Sequence, residues 1–135
     1  MLMSANSVWY VDSSAIVKLV AVEPETSVLT EFLTDRQPLV SSALATTEVH
    51  RAALPLGERF LDQATEVLER FELVRISNEI LEHAGRLEPN SLRSLDAIHL
   101  ATASLFGSTL GGLISYDGRM RDAALSYGWG VHAPA

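Results

Sequence analysis

Four carboxylates occupy positions in the sequence where they could do chemistry. Asp12 directly follows a short apolar run of β-favouring residues, and Asp117 follows a second such run. Asp96 lies in the first turn of a very apolar segment, and Glu48 lies among small and apolar residues. Each one alone is open to a structural role as a helix cap, a turn residue, a partner of the helix dipole or an exposed side chain.

If these four side chains converge, the site they form requires a cation. Carboxylates brought together without lysine neighbours repel one another and cannot all ionise. A hard divalent cation removes that conflict, and Mg²⁺ prefers a few carboxylates together with water and substrate phosphate. One or two such ions can orient a water, lower its pKa and stabilise the charge on a phosphodiester during cleavage. The four acids are therefore candidate ligands of a magnesium site.

Alternating strands and helices must position these acids. The apolar runs predict strands at 8–11, 38–41, 73–76 and 113–115, with a short last strand within 128–132. Helical spacing predicts helices at 13–22, 25–36, 44–53, 58–71, 79–87, 92–106 and 119–127. This alternation predicts right-handed crossovers and a three-layer α/β/α sandwich with a mainly parallel central sheet. The end of a first, central strand, where Asp12 lies, is where open α/β sheets bind ligands.

The residue that caps the first helix determines whether the Asp12 carboxylate is free to bind a metal. Ser13 or Ser14 is predicted to cap the first helix, which would leave the Asp12 carboxylate to face a metal. Asn78 is predicted to cap the helix at 79–87.

Composition limits the class of protein. A chain of 135 residues, 47% of them hydrophobic, predicts one domain over residues 1–135 with its own core. No apolar run reaches membrane-spanning length, Met1–Ser7 lacks signal-peptide features, and the absence of cysteine fits the cytoplasm. The net charge of −7 disfavours non-specific binding of nucleic acid, although two Mg²⁺ ions would change it to about −3.

Four motifs in a fixed order carry a family resemblance: Val11–Ala15, Glu48 on a helix, Leu92–Ala101 and Ser115–Asp117. Together they resemble a PIN-domain nuclease, and more narrowly a VapC-type toxin of a toxin–antitoxin module. The resemblance covers nearly the whole chain, and the segment around Asp96 is its most specific part. It implies a Mg²⁺- or Mn²⁺-dependent endoribonuclease, the toxin of a type II system, that is inhibited by a small cognate antitoxin and is usually a homodimer.

The resemblance also implies roles for particular residues. Asp12, Glu48, Asp96 and Asp117 match the acidic positions of the family, which are catalytic and bind the metal. Ser115 matches its Ser/Thr position two residues before the last aspartate.

Three arginines and one serine are candidate supporting residues. Ser13 could hold Asp12 or a metal-bound water, or serve only as a helix cap. Arg93, Arg119 and Arg121 flank two of the acids and could meet RNA phosphates, or pair with surface charges instead.

The remaining candidates have simpler interpretations. Arg51 follows Glu48 by three residues, which predicts a helix ion pair. His99 could donate a hydrogen bond to Asp96, but a histidine satisfied within the core is the favoured interpretation. Tyr116 could stack on an unpaired base, whereas Trp9 and Trp129 are predicted to be core residues.

Two other classes of function compete with the nuclease. An aspartyl-phosphate enzyme of the haloacid-dehalogenase type needs a second aspartate two residues after the first and a suitable lysine, but Ser14 stands at that position. The only lysine, Lys18, lies within the first predicted helix. The non-enzymatic alternative is a catalytically silent PIN-like binding module whose acidic groove captures a basic partner peptide, and metal titration separates it from the nuclease.

Overall fold

The fold is described from a computed structural model, which covers residues 7–135. Within these residues the strands are β1 (Val8–Val11), β2 (Leu39–Ser42), β3 (Glu72–Val74), β4 (Leu110–Ile114) and β5 (Val131–His132). The helices are α1 (Ser13–Val20), α2 (Thr26–Thr34), α3 (Leu44–Ala53), α4 (Glu58–Leu68), α5 (Asn78–Ala84), α6 (Ser94–Ser104) and α7 (Gly118–Ser126). Residues 54–56 and 107–109 form single 3₁₀ turns.

All five strands pair in parallel, in the order β3-β2-β1-β4-β5. The central strand β1 pairs with β2 on one side and with β4 on the other, and Val11 lies opposite Ile114. The chain leaves β1 in one direction and later crosses back to β4, so the strand order reverses at the carboxyl end of β1. Ligand sites of open α/β sheets form at such a switch point.

Side chains alternate across β1 and so divide the core into two layers. Trp9 and Val11 pack among the side chains of α1–α4, and Tyr10 packs on the opposite face with Leu100 and Met120 from α6 and α7. The predicted three-layer α/β/α sandwich with a parallel central sheet is confirmed.

Strand β4 approaches Trp9 closely through two adjacent glycines. A Cβ added to Gly111 would lie 2.9 Å from the Trp9 indole, and one added to Gly112 would lie 3.1 Å from it. The prediction that the fourth strand begins at 113 is therefore wrong, since both glycines are strand residues of β4 that make room for the indole.

Several other boundaries also differ from prediction. Strand β3 ends at Val74 because Ser77 then caps α5 by accepting a hydrogen bond from the Ile80 N–H at 3.2 Å. The cap predicted at Asn78 is therefore wrong. Helix α6 begins at Ser94 rather than at 92, since Arg93 has extended backbone angles.

Across residues 7–135, no helix is long and apolar enough to cross a membrane. The prediction that Met1–Ser7 carries no signal peptide concerns residues that, apart from Ser7, lie outside the described range.

Candidate active site

Asp12 follows β1 and caps α1. Its backbone N–H donates to the Ile114 carbonyl at 3.1 Å, and its Oδ1 accepts from the Ala15 N–H at 3.1 Å. The prediction that Ser13 or Ser14 caps this helix is wrong, because both serines already lie within its first turn. Aspartate is a strong N-cap residue, since its oxygen satisfies a backbone donor that lacks a partner within the helix.

Two serine hydroxyls hold the Asp12 carboxylate. Ser14 Oγ donates to Oδ1 and Ser115 Oγ donates to Oδ2, both at 2.6 Å. Asp12 is only 2% exposed, and this burial raises its pKa above the usual range even though the two serines oppose the shift. The site therefore holds a carboxylate whose negative charge lacks the stabilisation that water or a cation would give.

Ser115 and Ser14 also tie the loop before α7 to Asp12. Ser115 Oγ accepts from the Asp117 N–H at 3.0 Å, and Ser14 Oγ accepts from the Tyr116 N–H at 2.9 Å. Asp117 is itself the N-cap of α7 and accepts at Oδ1 from the Met120 N–H at 3.0 Å. The same hydroxyls thus fix the positions of two of the four predicted acids.

Glu48 on α3 is held through one oxygen. Its Oε1 accepts from Ser13 Oγ and is bonded to His99 Nε2, both at 2.6 Å. Burial raises the pKa of Glu48, but the hydrogen bonds from His99 and Ser13 outweigh burial and hold that pKa below its usual range. Ser13 therefore supports Glu48 rather than Asp12, which corrects one of its predicted roles.

The predicted ion pair between Glu48 and Arg51 is absent from the described residues, where His99 is the partner of Glu48. Arg51 lies on the exposed side of α3. Spacing along one helix favoured Arg51, whereas the fold brings a residue of α6 to the carboxylate.

His99 is a buried core histidine, 2% exposed, that reaches the site from α6. Its Nδ1 lies 2.7 Å from the Tyr10 hydroxyl. The interpretation of His99 as a satisfied core residue is confirmed, and Glu48 rather than Asp96 is the acid that it contacts.

Asp96, in the first turn of α6, is coupled electrostatically to the other acids. Burial raises the pKa of Asp96, the charges of Asp117 and Glu48 raise it further, and those of His99 and Arg93 oppose the shift. Mutual repulsion of this kind arises where carboxylates face a common space.

The donor set fits a hard cation, although the ligands are not gathered around one point. Within residues 7–135, no three His, Asp or Glu side chains lie close enough together to hold an ion. Charges influence one another over longer distances than metal–ligand bonds span. The raised pKa of Asp96 and the lack of a closed ligand cluster among residues 7–135 are therefore compatible, because the acids face one region without meeting at its centre. Carboxylate oxygens are the ligands that Mg²⁺ prefers, and a cation there would relieve the repulsion and the charge burial.

The other predicted residues surround this region with varied contacts. Arg93 is the exposed N-cap residue of α6, and Arg119 is exposed on α7. The Nε of Arg121 is buried without a hydrogen-bond partner among the described residues.

Of the aromatic candidates, Tyr116 is engaged by other parts of the chain. Its hydroxyl donates to the Pro134 carbonyl at 2.6 Å, and Lys18 Nζ lies 4.8 Å from its ring centroid. These contacts favour a packing role over base stacking. Trp9 is buried and Trp129 packs against the core, as predicted.

Sequence reasoning missed the contributions of Tyr10 and Ser14 to the site. A tyrosine in a buried strand was a usable signal, because a buried phenol needs a hydrogen-bond partner. Ser14 was considered only as a cap, although its position two residues after Asp12 lets its hydroxyl turn back to that carboxylate.

Comparison with known proteins shows the family to which the chain belongs. Residues 9–125 match the PIN domain family. The chain is 51% identical over 126 residues to Ribonuclease VapC46 of Mycobacterium tuberculosis, covering 93% of this chain and 97% of that protein. The chain therefore belongs to the PIN domain family. Its VapC-type character is confirmed, and with it the predicted class of enzyme, an endoribonuclease.

Two solved structures share the fold. One is a toxin–antitoxin complex from Klebsiella pneumoniae, with a TM-score of 0.72 and 24% identity, which covers 96% of this chain and 98% of that one. The other is Mycobacterium tuberculosis VapC20, a Sarcin-Ricin loop cleaving toxin, with a TM-score of 0.74 and 15% identity, which covers 94% of this chain and 99% of that one. At these identities the likeness concerns the fold.

Proposed function

We propose that this chain is a Mg²⁺-dependent endoribonuclease that acts as the toxin of a type II toxin–antitoxin system, its nuclease domain spanning residues 1–135. The observation that carries the proposal is the position of Asp12, which is buried at the carboxyl end of β1 and held by Ser14 and Ser115, together with Asp96, whose pKa is raised by burial and by the charges of Asp117 and Glu48. A carboxylate cluster of this kind at the switch point of an α/β sheet is suited to a divalent cation and a phosphodiester.

The four acids and the three serines that contact them have different proposed roles. Mg²⁺, or Mn²⁺ in its place, would be held by Asp12, Glu48, Asp96 and Asp117, and when bound it supplies a water of lowered pKa and stabilises charge on the scissile phosphate. Three serines fix two of these ligands: Ser14 and Ser115 hold Asp12, and Ser13 holds Glu48.

Substrate contact falls to the cations at the rim of the site. Arg93 is exposed at the start of α6 and close enough to Asp96 for its charge to lower the pKa of that carboxyl. Its guanidinium can donate two hydrogen bonds to an RNA phosphate.

The proposed partners follow from the family. We expect a small antitoxin that inhibits the chain, as in the toxin–antitoxin complex of similar fold, and an arginine inserted among the carboxylates would compete with the metal. We also expect a homodimer, which a monomer in sedimentation at micromolar concentration would contradict. The proposed site of action is the cytoplasm, where RNA and antitoxin are made.

Sequencing of RNA ends in bacterial cells tests the proposed activity. Expression of the wild-type chain should create new RNA ends at defined sites. Asp12→Asn should create none, because it removes the charge at the centre of the site while keeping an N-cap residue.

Asp62→Asn is the matched control, since Asp62 is exposed on α4 and makes no ion pair with any residue from 7 to 135. It should produce the same ends as wild type. Identical ends from Asp12→Asn would contradict the assignment of the site, and the absence of new ends from any chain would favour the binding module.

A further inference from the structure

A chain of buried hydrogen bonds links the core to Glu48. The Tyr10 hydroxyl lies 2.7 Å from His99 Nδ1, and His99 Nε2 lies 2.6 Å from Glu48 Oε1. These residues come from β1, α6 and α3. The series of hydrogen bonds therefore passes from the central strand, through a helix on one face of the sheet, to a helix on the other face.

The acceptor at one end fixes the direction of the bond between His99 and Glu48. An ionised carboxylate can only accept, so the proton on His99 Nε2 lies in a hydrogen bond that His99 donates to Glu48. The Tyr10 hydroxyl, which can donate or accept, is the partner of Nδ1 on the other side of the ring. Tyr10 thereby holds the imidazole in the orientation in which Nε2 faces Glu48.

Burial keeps this arrangement unique. Tyr10 is fully buried and His99 is 2% exposed, so water does not compete for either bond. The Nδ1–H tautomer would place an unprotonated Nε2 at 2.6 Å from Glu48 Oε1, so that two acceptors would face each other without a proton between them. A buried polar group without a partner is costly, which disfavours that state.

As a consequence, the two oxygens of the Glu48 carboxylate have different hydrogen-bond partners. Oε1 of Glu48 is occupied by Ser13 and His99, whereas Oε2 accepts no hydrogen bond from the described residues. The geometry points to Tyr10 and His99 as positioning residues that hold Glu48 so that only Oε2 is offered to the metal. This inference rests on the proposed role of Glu48 as a metal ligand.

The proton on His99 Nε2 can be observed directly in the wild-type chain. Nitrogen-15 NMR of the histidine rings in EDTA should show a proton on His99 Nε2 that is protected from solvent exchange. Observation of the Nδ1–H tautomer would overturn the inference, and this measurement requires no variant to fold.

Two substitutions of His99 separate its two contacts. His99→Gln places an amide N–H near the position of Nε2 and should keep Mn²⁺ affinity, measured by calorimetry, within about threefold of wild type. His99→Asn is shorter, loses Glu48, and should weaken Mn²⁺ binding by about 10-fold or more, the scale of losing a residue that orients a ligand. Equal Mn²⁺ affinities for the two variants would overturn the inference.

Substitution of the phenol tests the far end of the chain. Tyr10→Phe should weaken Mn²⁺ binding by about threefold to 10-fold, as expected for one lost hydrogen bond. The matched control is Tyr127→Phe, because the Tyr127 hydroxyl donates to the Glu88 carbonyl away from the acids, and it should leave Mn²⁺ affinity unchanged. A Tyr10→Phe chain with wild-type affinity contradicts the inference.

Glu48→Gln separates this inference from the proposed function. If Glu48→Gln binds Mn²⁺ as tightly as wild type, the role of Glu48 as a ligand fails. If Glu48→Gln binds weakly while His99→Asn and Tyr10→Phe bind normally, only the positioning inference fails.

Discussion

Asp12 combines an observed structural role with a proposed chemical role in one side chain. Its Oδ1 caps α1, a contribution of about 1 kcal/mol in typical helices, while both oxygens are held by serines at the site. Capping needs only an oxygen acceptor, whereas metal binding needs the negative charge. The charge is also the feature that burial penalises, so stability and activity make opposite demands on this residue.

Replacement of Asp12 by asparagine should therefore stabilise the metal-free protein. Because the pKa of Asp12 is raised in the folded chain, the folded state binds its proton more tightly than the unfolded state does. Wild-type stability then falls as pH rises from the unfolded value through the raised folded value, and Asp12→Asn lacks this loss. In EDTA at pH 7, Asp12→Asn should melt above wild type, by about 3–5 °C for each kcal/mol gained.

Melting curves between pH 4 and pH 8 check both parts of this expectation. The difference between the two chains should shrink toward pH 4, because the raised pKa makes folded Asp12 take up its proton at a higher pH than an unfolded carboxyl does. A wild-type chain that melts above Asp12→Asn in EDTA at pH 7 would show that the ionised carboxylate is well stabilised without metal.

Among the secondary-structure elements, those with a simple local pattern were predicted best. The predicted bounds of β1 and of α3 match the structure, and both elements have distinct residues at their ends. The predicted end of the fourth strand at 115 lies one residue beyond the observed end of β4 at Ile114. The prediction therefore placed Asp117 just after the strand that pairs with β1. What remained unpredicted depends on contacts between distant segments.

The hydrogen bonds of Glu48 illustrate that limit. Ser13 and His99 lie 35 and 51 residues from it in sequence, and they meet it only because α1, α3 and α6 pack around the end of β1. No local spacing encodes this meeting, whereas the competing pair with Arg51 has ideal helical spacing. The strand and helix ends that carry the candidate acids could thus be predicted, but not the groups that hold Glu48.

The pairing of β1 with β4 carries a test at the scale of elements. Gly111→Ala would place a Cβ 2.9 Å from the Trp9 indole and should lower the free energy of unfolding by about 1–3 kcal/mol, the usual cost of overpacking. Urea denaturation measures this change.

Gly85→Ala is the matched control, because its nearest contacts would be ordinary ones at 3.5 Å. It should leave stability unchanged or slightly raised. Equal stabilities for Gly111→Ala and wild type would mean that the indole moves freely and that the glycine pair is not required for strand pairing.

At the scale of the whole molecule, an acidic protein is proposed to bind a negatively charged substrate. The net charge of −7 repels a polyanion, so under the proposed function RNA binding at the acidic edge of the sheet would depend on the charge of the bound cations and of arginines at the rim. The fold concentrates this dependence at one place, where the carboxyl ends of β1 and β4 lie side by side. Cleavage of RNA should therefore depend on the presence of the divalent cation.

The most direct test of the account is the cleavage rate of a purified RNA that spans a site mapped in cells. The wild-type chain and Asp62→Asn should cut it with Mg²⁺ or Mn²⁺ and stop in EDTA. A 2′-deoxy substitution at the scissile position should not prevent cleavage, because under the proposed function the cation would supply an activated water as the nucleophile in place of the 2′-hydroxyl. Asp96→Asn should be slower by at least about 100-fold, the scale of losing one transition-state stabiliser. Undiminished cleavage in EDTA, or a wild-type rate for Asp96→Asn, would contradict the central claim that these carboxylates hold the catalytic metal.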